Sequence, residues 1–174
     1  MSAGRDPEGR RERDPAGRPR NARPRDAFGR PLARGQESGT DWEPIPDDLA
    51  LTGTDAVRLA DRLLRAGRAF PAHEVLEASW KSGPAGERDL WQGLAQIAVG
   101  YTHAGRGNAR GAAALLRRGT QRVRGYRGRA DDDGPYGIDL PAVLAAADDL
   151  AARIERDGLA DIPPADLRLR LTRG

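Results

Sequence analysis

Apolar residues recur at helical spacing from about residue 54 to the C-terminal region, and this pattern predicts five helices. Each predicted helix starts at a residue that favours an N-cap or a first turn, and glycine marks most of the ends. The fifth has the clearest amphipathic stripe. In chain order, the predicted helices run from Thr54 to Gly67, from after Phe70 to Ser82-Gly83, from Pro84 to Gly105, from near Asn108 to Gly125 or Tyr126, and from Asp139 to Gly158.

The last stretch of the chain has a different pattern. After Pro163-Pro164, the residues Leu167, Leu169 and Leu171 alternate with arginines, which predicts an extended strap laid on the helices. No βαβ alternation or hairpin pattern is visible, so the fold class is all-α: a compact bundle of about five helices in antiparallel hairpins, formed by residues 54–174. A 34-residue period is also missing, so a helical-repeat array is not predicted.

The first 41 residues lack a periodic apolar pattern. Prolines, glycines and arginines dominate this Arg/Pro/Gly-rich tail, and too little apolar surface is present to offset the entropy of ordering it. Residues 1–41 are therefore predicted to be a disordered N-terminal tail. Residues 42–53 are interpreted as a linker, in which Trp42 and Ile45 are candidates to pin the end of the tail to the domain surface.

The net charge of the 174-residue chain is +3, and it is unevenly distributed. Residues 1–34 carry ten arginines and five acids, a charge of +5, which leaves −2 for residues 35–174. The folded part is therefore predicted to be close to neutral. The tail could make a weak, sequence-independent contact with nucleic acid. Lys81 is the single lysine among 29 basic residues, a bias typical of GC-rich genomes that weakens arginine content as a functional signal.

Several classes of protein are excluded by composition. No apolar run is long enough to span a bilayer, and the arginine-rich start is not followed by an apolar stretch, so neither a membrane protein nor a secreted one is expected. The absence of cysteine excludes disulfides, thiolate zinc sites and cysteine nucleophiles. The expected setting is cytoplasmic. The sequence does not indicate an oligomeric state.

Polar residues of the second and third predicted helices could carry chemistry. His73, Glu77 and Trp80 share one helix face, and the Gln92–Gln96–His103 stripe lies on the next helix. If the two helices form an antiparallel hairpin, His73 approaches His103. The candidate polar site consists of His73, Glu74, Glu77, Trp80, Gln92, Gln96, His103, Arg106 and Asn108.

Three interpretations of these residues stay open. Two histidines and a carboxylate are a frequent ligand set for a divalent metal, which His73, Glu77 and His103 could bind. They could instead form a structural hydrogen-bond network, which is the favoured interpretation, or be together by coincidence. The zinc-protease signature is absent. The segment 107–111 could bind an anion through free amides, but a tight turn capped by Asn108 is favoured.

Two functions follow from these alternatives. The favoured one is a helical binding module with a polar His/Glu/Gln cluster between helices two and three, which takes a small ligand or a peptide. The alternative is a metal-dependent or general-base enzyme, resembling a hydrolase, that uses His73, Glu77 and His103.

The run from Phe70 to Tyr126 also resembles a known family. In chain order, this run contains His73-Glu74-x-x-Glu77-x-x-Trp80, Arg88, Gln92-Gly93-Leu94-x-Gln96, His103, Gly107, Asn108 and Gly111-Ala112. These motifs are similar to the hallmark of the bacterial and archaeal family catalogued as domain of unknown function 309. The resemblance covers about 100 residues, from the first helix through the fifth, and leaves out the tail before residue 42. It implies an all-α bundle in a cytoplasmic setting and no particular activity.

Overall fold

The computed structural model describes residues 51–127 and 134–173, and five α-helices account for most of them. Within these ranges there is no strand, only an isolated bridge between Ile138 and Thr172, so the predicted all-α class is confirmed. The predicted tail and most of the predicted linker lie outside the described residues. The helices are α1 (Gly53–Arg65), α2 (Ala69–Ser82), α3 (Arg88–Gly105), α4 (Ala109–Gly125) and α5 (Leu140–Asp157).

Two predicted helix starts were wrong by a few residues. Thr52, not Thr54, caps α1: its Oγ1 accepts a hydrogen bond from the Asp55 amide at 3.2 Å. The linker therefore ends before residue 53. Pro84 does not open α3, because a single 3₁₀ turn, Ala85–Glu87, stands between them. The caps predicted at Asn108 and Asp139 are confirmed, since their side chains accept from the amides of the first turns of α4 and α5.

Consecutive helices pack against each other, and α3 lies between α2 and α4. The contact between α3 and α4 is made close by glycines. A Cβ added at Gly119 would lie 2.8 Å from the carbonyl oxygen of Gly93, and one added at Gly100 would collide with Leu116. These contacts fix the register of the two helices, because Gly93 also faces Val123. Gly111 faces the His103 ring, so the antiparallel helices place Val99 level with Leu115 and Gln96 level with Arg118, one and two turns away.

The turns α1–α2 and α3–α4 have the same geometry. Gly67 and Gly107, forty positions apart, adopt φ values of 73° and 78°, which glycine tolerates best. The next residue in each turn donates to a carbonyl five positions back: Arg68 to Leu63 at 2.8 Å and Asn108 to His103 at 2.9 Å. Two equivalent helical hairpins are thus present, although no 34-residue period predicted them.

The C-terminal strap is held by a buried carboxylate. Asp61 Oδ1 accepts from the amides of Leu171 and Thr172 at 2.6 and 3.2 Å, and Oδ2 accepts from Arg65 Nε at 2.7 Å. Leu169 and Leu171 are buried. The predicted extended strap is therefore present from Arg168 onward, and Leu169 and Leu171 complete the core. Leu167, which was predicted to be extended, instead ends a 3₁₀ turn, Pro164–Leu167.

A second polar cluster joins the ends of three elements. Glu87 accepts from Trp91 Nε1 at 2.8 Å and from the Tyr136 hydroxyl at 2.6 Å. The Tyr136 ring lies 5.3 Å from that of Trp91 and also covers Gly53. The pKa of Tyr136 is raised to about 12, mainly because the hydroxyl is buried and also because it donates a hydrogen bond to Glu87. The start of α1 is thereby placed beside the start of α3.

The charge of the described helical region differs from the prediction. Residues 51–127 and 134–173 hold 18 Lys and Arg side chains and 13 Asp and Glu side chains, a net charge of +5. The acids that made residues 35–174 negative are concentrated outside this region, in 37–48 and 131–133. The domain is therefore basic rather than neutral. The predicted contact between the tail and nucleic acid concerns residues 1–34, which lie outside the described ranges.

Candidate functional site on the exposed face of α3

One stripe of α3 is half-buried and turned away from the core. Gln92, Gln96, Val99 and His103 follow each other at helical spacing along it. The side of α3 that carries Leu94 and Tyr101 is buried in the core instead. The stripe therefore forms an exposed face between α2 and α4.

His73 lies one turn into α2, beside this stripe. Its Nδ1 lies 2.9 Å from the carbonyl oxygen of Phe70, which can only accept, so Nδ1 carries a proton. Nε2 lies 3.4 Å from Glu77 Oε2, a contact that is an ion pair when Nε2 is protonated as well, while Glu77 Oε1 accepts from Lys81 Nζ at 3.0 Å. The side chains of His73 and Glu77 are 21% and 35% exposed. Glu77 is thus shared between two partners on its own helix.

His103, at the end of α3, has the opposite hydrogen-bonding pattern. Asn108 Oδ1 accepts from the Gly111 amide at 2.9 Å, which turns Asn108 Nδ2 toward His103 Nδ1 at 2.8 Å. Because an amide NH₂ group only donates, Nδ1 is the acceptor and Nε2 carries the proton. Burial lowers the pKa of His103, and the guanidinium of Arg106 lowers it further. His103 is therefore a neutral imidazole near pH 7.

The two histidines lie at the same end of the α2–α3 hairpin. Arg106 stands 5.7 Å above the Phe70 ring, and that ring lies 5.3 Å from the ring of His73. Phe70 is therefore level with Arg106, and the antiparallel register places His73 level with His103. His73 and Glu77 contact partners within α2, whereas His103 bonds to Asn108 at the start of the next helix.

A three-ligand metal set is not formed by these groups. In the described ranges, no group of three or more His, Asp or Glu side chains is arranged to hold a metal ion. His73, Glu77 and His103 therefore do not make such a group. The Nδ1 lone pair of His103 is also engaged by Asn108, so it is not available to a metal or to a proton in this arrangement.

Gln96 has an unpartnered acceptor in the middle of the stripe. Its Oε1 is buried, and no donor reaches it within the described part of the chain. A buried acceptor without a donor is rare in folded proteins, because losing water without a replacement costs about 1–3 kcal/mol. Gln96 itself is half-buried, so a rotation of its side chain would bring Oε1 to the exposed face, where an N–H or O–H group would be stabilised.

Apolar and basic groups adjoin this acceptor. Val99 lies one turn from Gln96 on α3, and Leu115 lies level with Val99 on α4. Both side chains are half-buried, and neither belongs to the hydrophobic core or to the apolar residues packed against that core. Arg118 is exposed and forms no ion pair with the described residues. We call this surface the α3 face; it comprises the α3 stripe (Gln92, Gln96, Val99, His103) with His73, Glu77 and Trp80 on α2 and Gly111, Leu115 and Arg118 on α4.

The remaining candidates take different positions. Trp80 is half-buried and packs against the core, and Gln92 lies at the far end of the stripe. Glu74 is half-buried on α2 and is engaged in further contacts. Sequence reasoning missed Val99, Leu115 and Arg118. Their spacing carried a signal, since Gly111, Leu115 and Arg118 repeat on α4 the i, i+4, i+7 spacing of the α3 stripe.

The fold and the site define a small all-helical domain built from antiparallel hairpins, with a polar face along its central helix. Residues 57–115 match the family model described as Domain of unknown function (DUF309), which supports the family resemblance noted in the sequence. The match includes every residue of the α3 face except Arg118. Searches of curated proteins and of solved structures gave no match. In the described residues, no helix is both long and apolar enough to cross a membrane.

Proposed function

We propose that this protein is a non-enzymatic helical binding module, acting in the cytoplasm, whose α3 face takes a peptide or a small ligand. The observation that carries the proposal is the buried Oε1 of Gln96, which has no donor among the described residues. A ligand that supplies an N–H group there would remove a cost that the unliganded domain bears. Val99 and Leu115 beside it would receive an apolar part of the same ligand.

The hydrogen bonds of His103 favour binding over catalysis. A general base needs a free lone pair, but the lone pair of His103 accepts from Asn108 and its other nitrogen is protonated. Glu77 is engaged by Lys81 and His73 at the edge of the face. These groups are suited to orienting a ligand at the rim, and they support the module more than the enzyme.

The test is a titration of the full ¹⁵N-labelled chain with indole, a small probe that has an apolar body and one N–H donor. The backbone amides of Val99 and Leu115 and the side-chain amide of Gln96 are expected to shift with the probe concentration. A Val99→Asp chain is the matched control, because a carboxylate at this half-buried position should abolish the response. Shifts that avoid α3 and α4, or that survive Val99→Asp, would contradict the proposal.

A further inference from the structure

The α3 face has the chemistry of a receptor for one kind of side chain. It combines apolar surface at Val99 and Leu115 with one unpartnered acceptor, Gln96 Oε1, and an exposed arginine, Arg118. The matching group is an aromatic ring that has a single donor and no acceptor, which among side chains is the indole of tryptophan. Acidic residues next to that tryptophan would complement Arg118.

This chain contains such a segment immediately before the described domain. Trp42 stands in residues 35–50, which hold five acids and no lysine or arginine, a charge of −5. The described helical region carries +5. Charge and side-chain chemistry therefore match between the segment and the domain.

The connection is long enough for the segment to reach the face. The first described residue is Leu51, and nine residues of extended chain from there to Trp42 span up to about 30 Å. The Tyr136 ring lies between the start of α1 and Trp91, because it contacts both Gly53 and the Trp91 ring. Gln96 is five residues along α3 from Trp91, which is about 8 Å.

We infer that residues 37–48 are an internal ligand of the domain, with the indole of Trp42 donating to Gln96 Oε1 and its ring covering Val99 and Leu115. This inference rests on the proposed function and names the occupant of the same site. An external ligand of the same chemistry would then have to displace the segment, so its apparent affinity would be lowered by the fraction of the face that is occupied.

The test uses a spin label on the full chain. Because the chain has no cysteine, Ser38→Cys gives one attachment point for a nitroxide. We expect the label to broaden the amide signals of Gln96, Val99 and Leu115, and added salt to reduce this broadening, since the Debye length falls to about 3 Å at 1 M. A label at Ser2→Cys, at the far end of the tail, is the matched control and should broaden these signals less.

Two variants of the labelled chain test the role of the indole. Trp42→Ala should abolish the local broadening, and Trp42→Phe, which keeps a ring but lacks the donor, should weaken it. Broadening that is spread evenly over the domain, or that persists in Trp42→Ala, would overturn the inference. If the Trp42→Ala chain still responds to indole at the α3 face while the labelled chain shows no docking, the proposed function stands and this inference is wrong.

Discussion

Replacing Gln96 by methionine should stabilise the unliganded protein. Methionine has a similar length and flexibility but no strong hydrogen-bonding atom, so the change removes the buried acceptor that lacks a donor. An unsatisfied buried acceptor costs about 1–3 kcal/mol, and removing it should raise the free energy of unfolding by a similar amount at most. For a domain of this size, that corresponds to a rise in Tm of roughly 4–12 °C.

The assay is urea unfolding of the full Trp42→Ala chain, which lacks the inferred internal donor to Gln96, followed by circular dichroism at neutral pH. Gln92→Met is the matched control, because Gln92 lies on the same stripe and has no buried atom without a partner. We expect this control to change stability by less than about 0.5 kcal/mol. A Gln96→Met chain that is destabilised by 1 kcal/mol or more would show that the amide is satisfied in solution, and the argument for a donor-seeking site would fail.

Four further predictions concern contacts around the face and the core. Asn108→Asp should raise the pKa of His103 by placing a carboxylate at Nδ1, as measured by NMR titration of the ring. An unchanged or lower pKa would contradict the contact between residue 108 and His103 Nδ1. In the unaltered chain the pKa of His103 is lowered, so stability should fall as the pH drops below about 6.5 in urea-unfolding assays, because the unfolded state binds more protons there. Gly119→Ala should destabilise by about 1–3 kcal/mol in chemical unfolding, because its Cβ would strike the backbone of α3, whereas Gly125→Ala, with no atom within 4 Å, should not. Asp61→Ala should cost about 2–4 kcal/mol and release the strap, seen as faster amide exchange at Leu171; unchanged exchange would refute its anchoring role.

Helical periodicity was sufficient to predict the number and order of the helices. Caps at Asn108 and Asp139 were predicted correctly because each has an oxygen that can accept from the next turn. The start of α1 was missed because Thr52 and Thr54 are equally good caps by residue type. Asp55 decides between them, since its amide donates to Thr52 and its carboxylate accepts from the same hydroxyl at 2.6 Å.

The polar members of the candidate site were accessible to sequence reasoning, but its apolar part was not. His73, Gln96 and His103 are conspicuous because polar residues rarely occupy half-buried stripes. Val99 and Leu115 look like ordinary core residues in the sequence. Only the register of α3 against α4, fixed by glycine contacts, shows that they face away from the core.

The hydrogen-bonding states of the histidines also required coordinates. A sequence shows that Asn108 follows His103 by five residues, but not that its amide is already oriented by the Gly111 N–H. That orientation makes His103 Nδ1 an acceptor, which supports the binding module favoured from the sequence over a metal ligand or a base.

The central claim is that Gln96 Oε1 recognises a donor on a bound group, and it is tested most directly by two probes that differ in one N–H. Indole and 1-methylindole would be titrated into the full Trp42→Ala chain, with and without Gln96→Met, and the Kd values compared by NMR. One hydrogen bond to the buried acceptor predicts that indole binds about 5- to 10-fold more tightly than 1-methylindole, and that Gln96→Met removes the difference. Equal binding of the two probes, or a preference for indole that survives Gln96→Met, would contradict the claim.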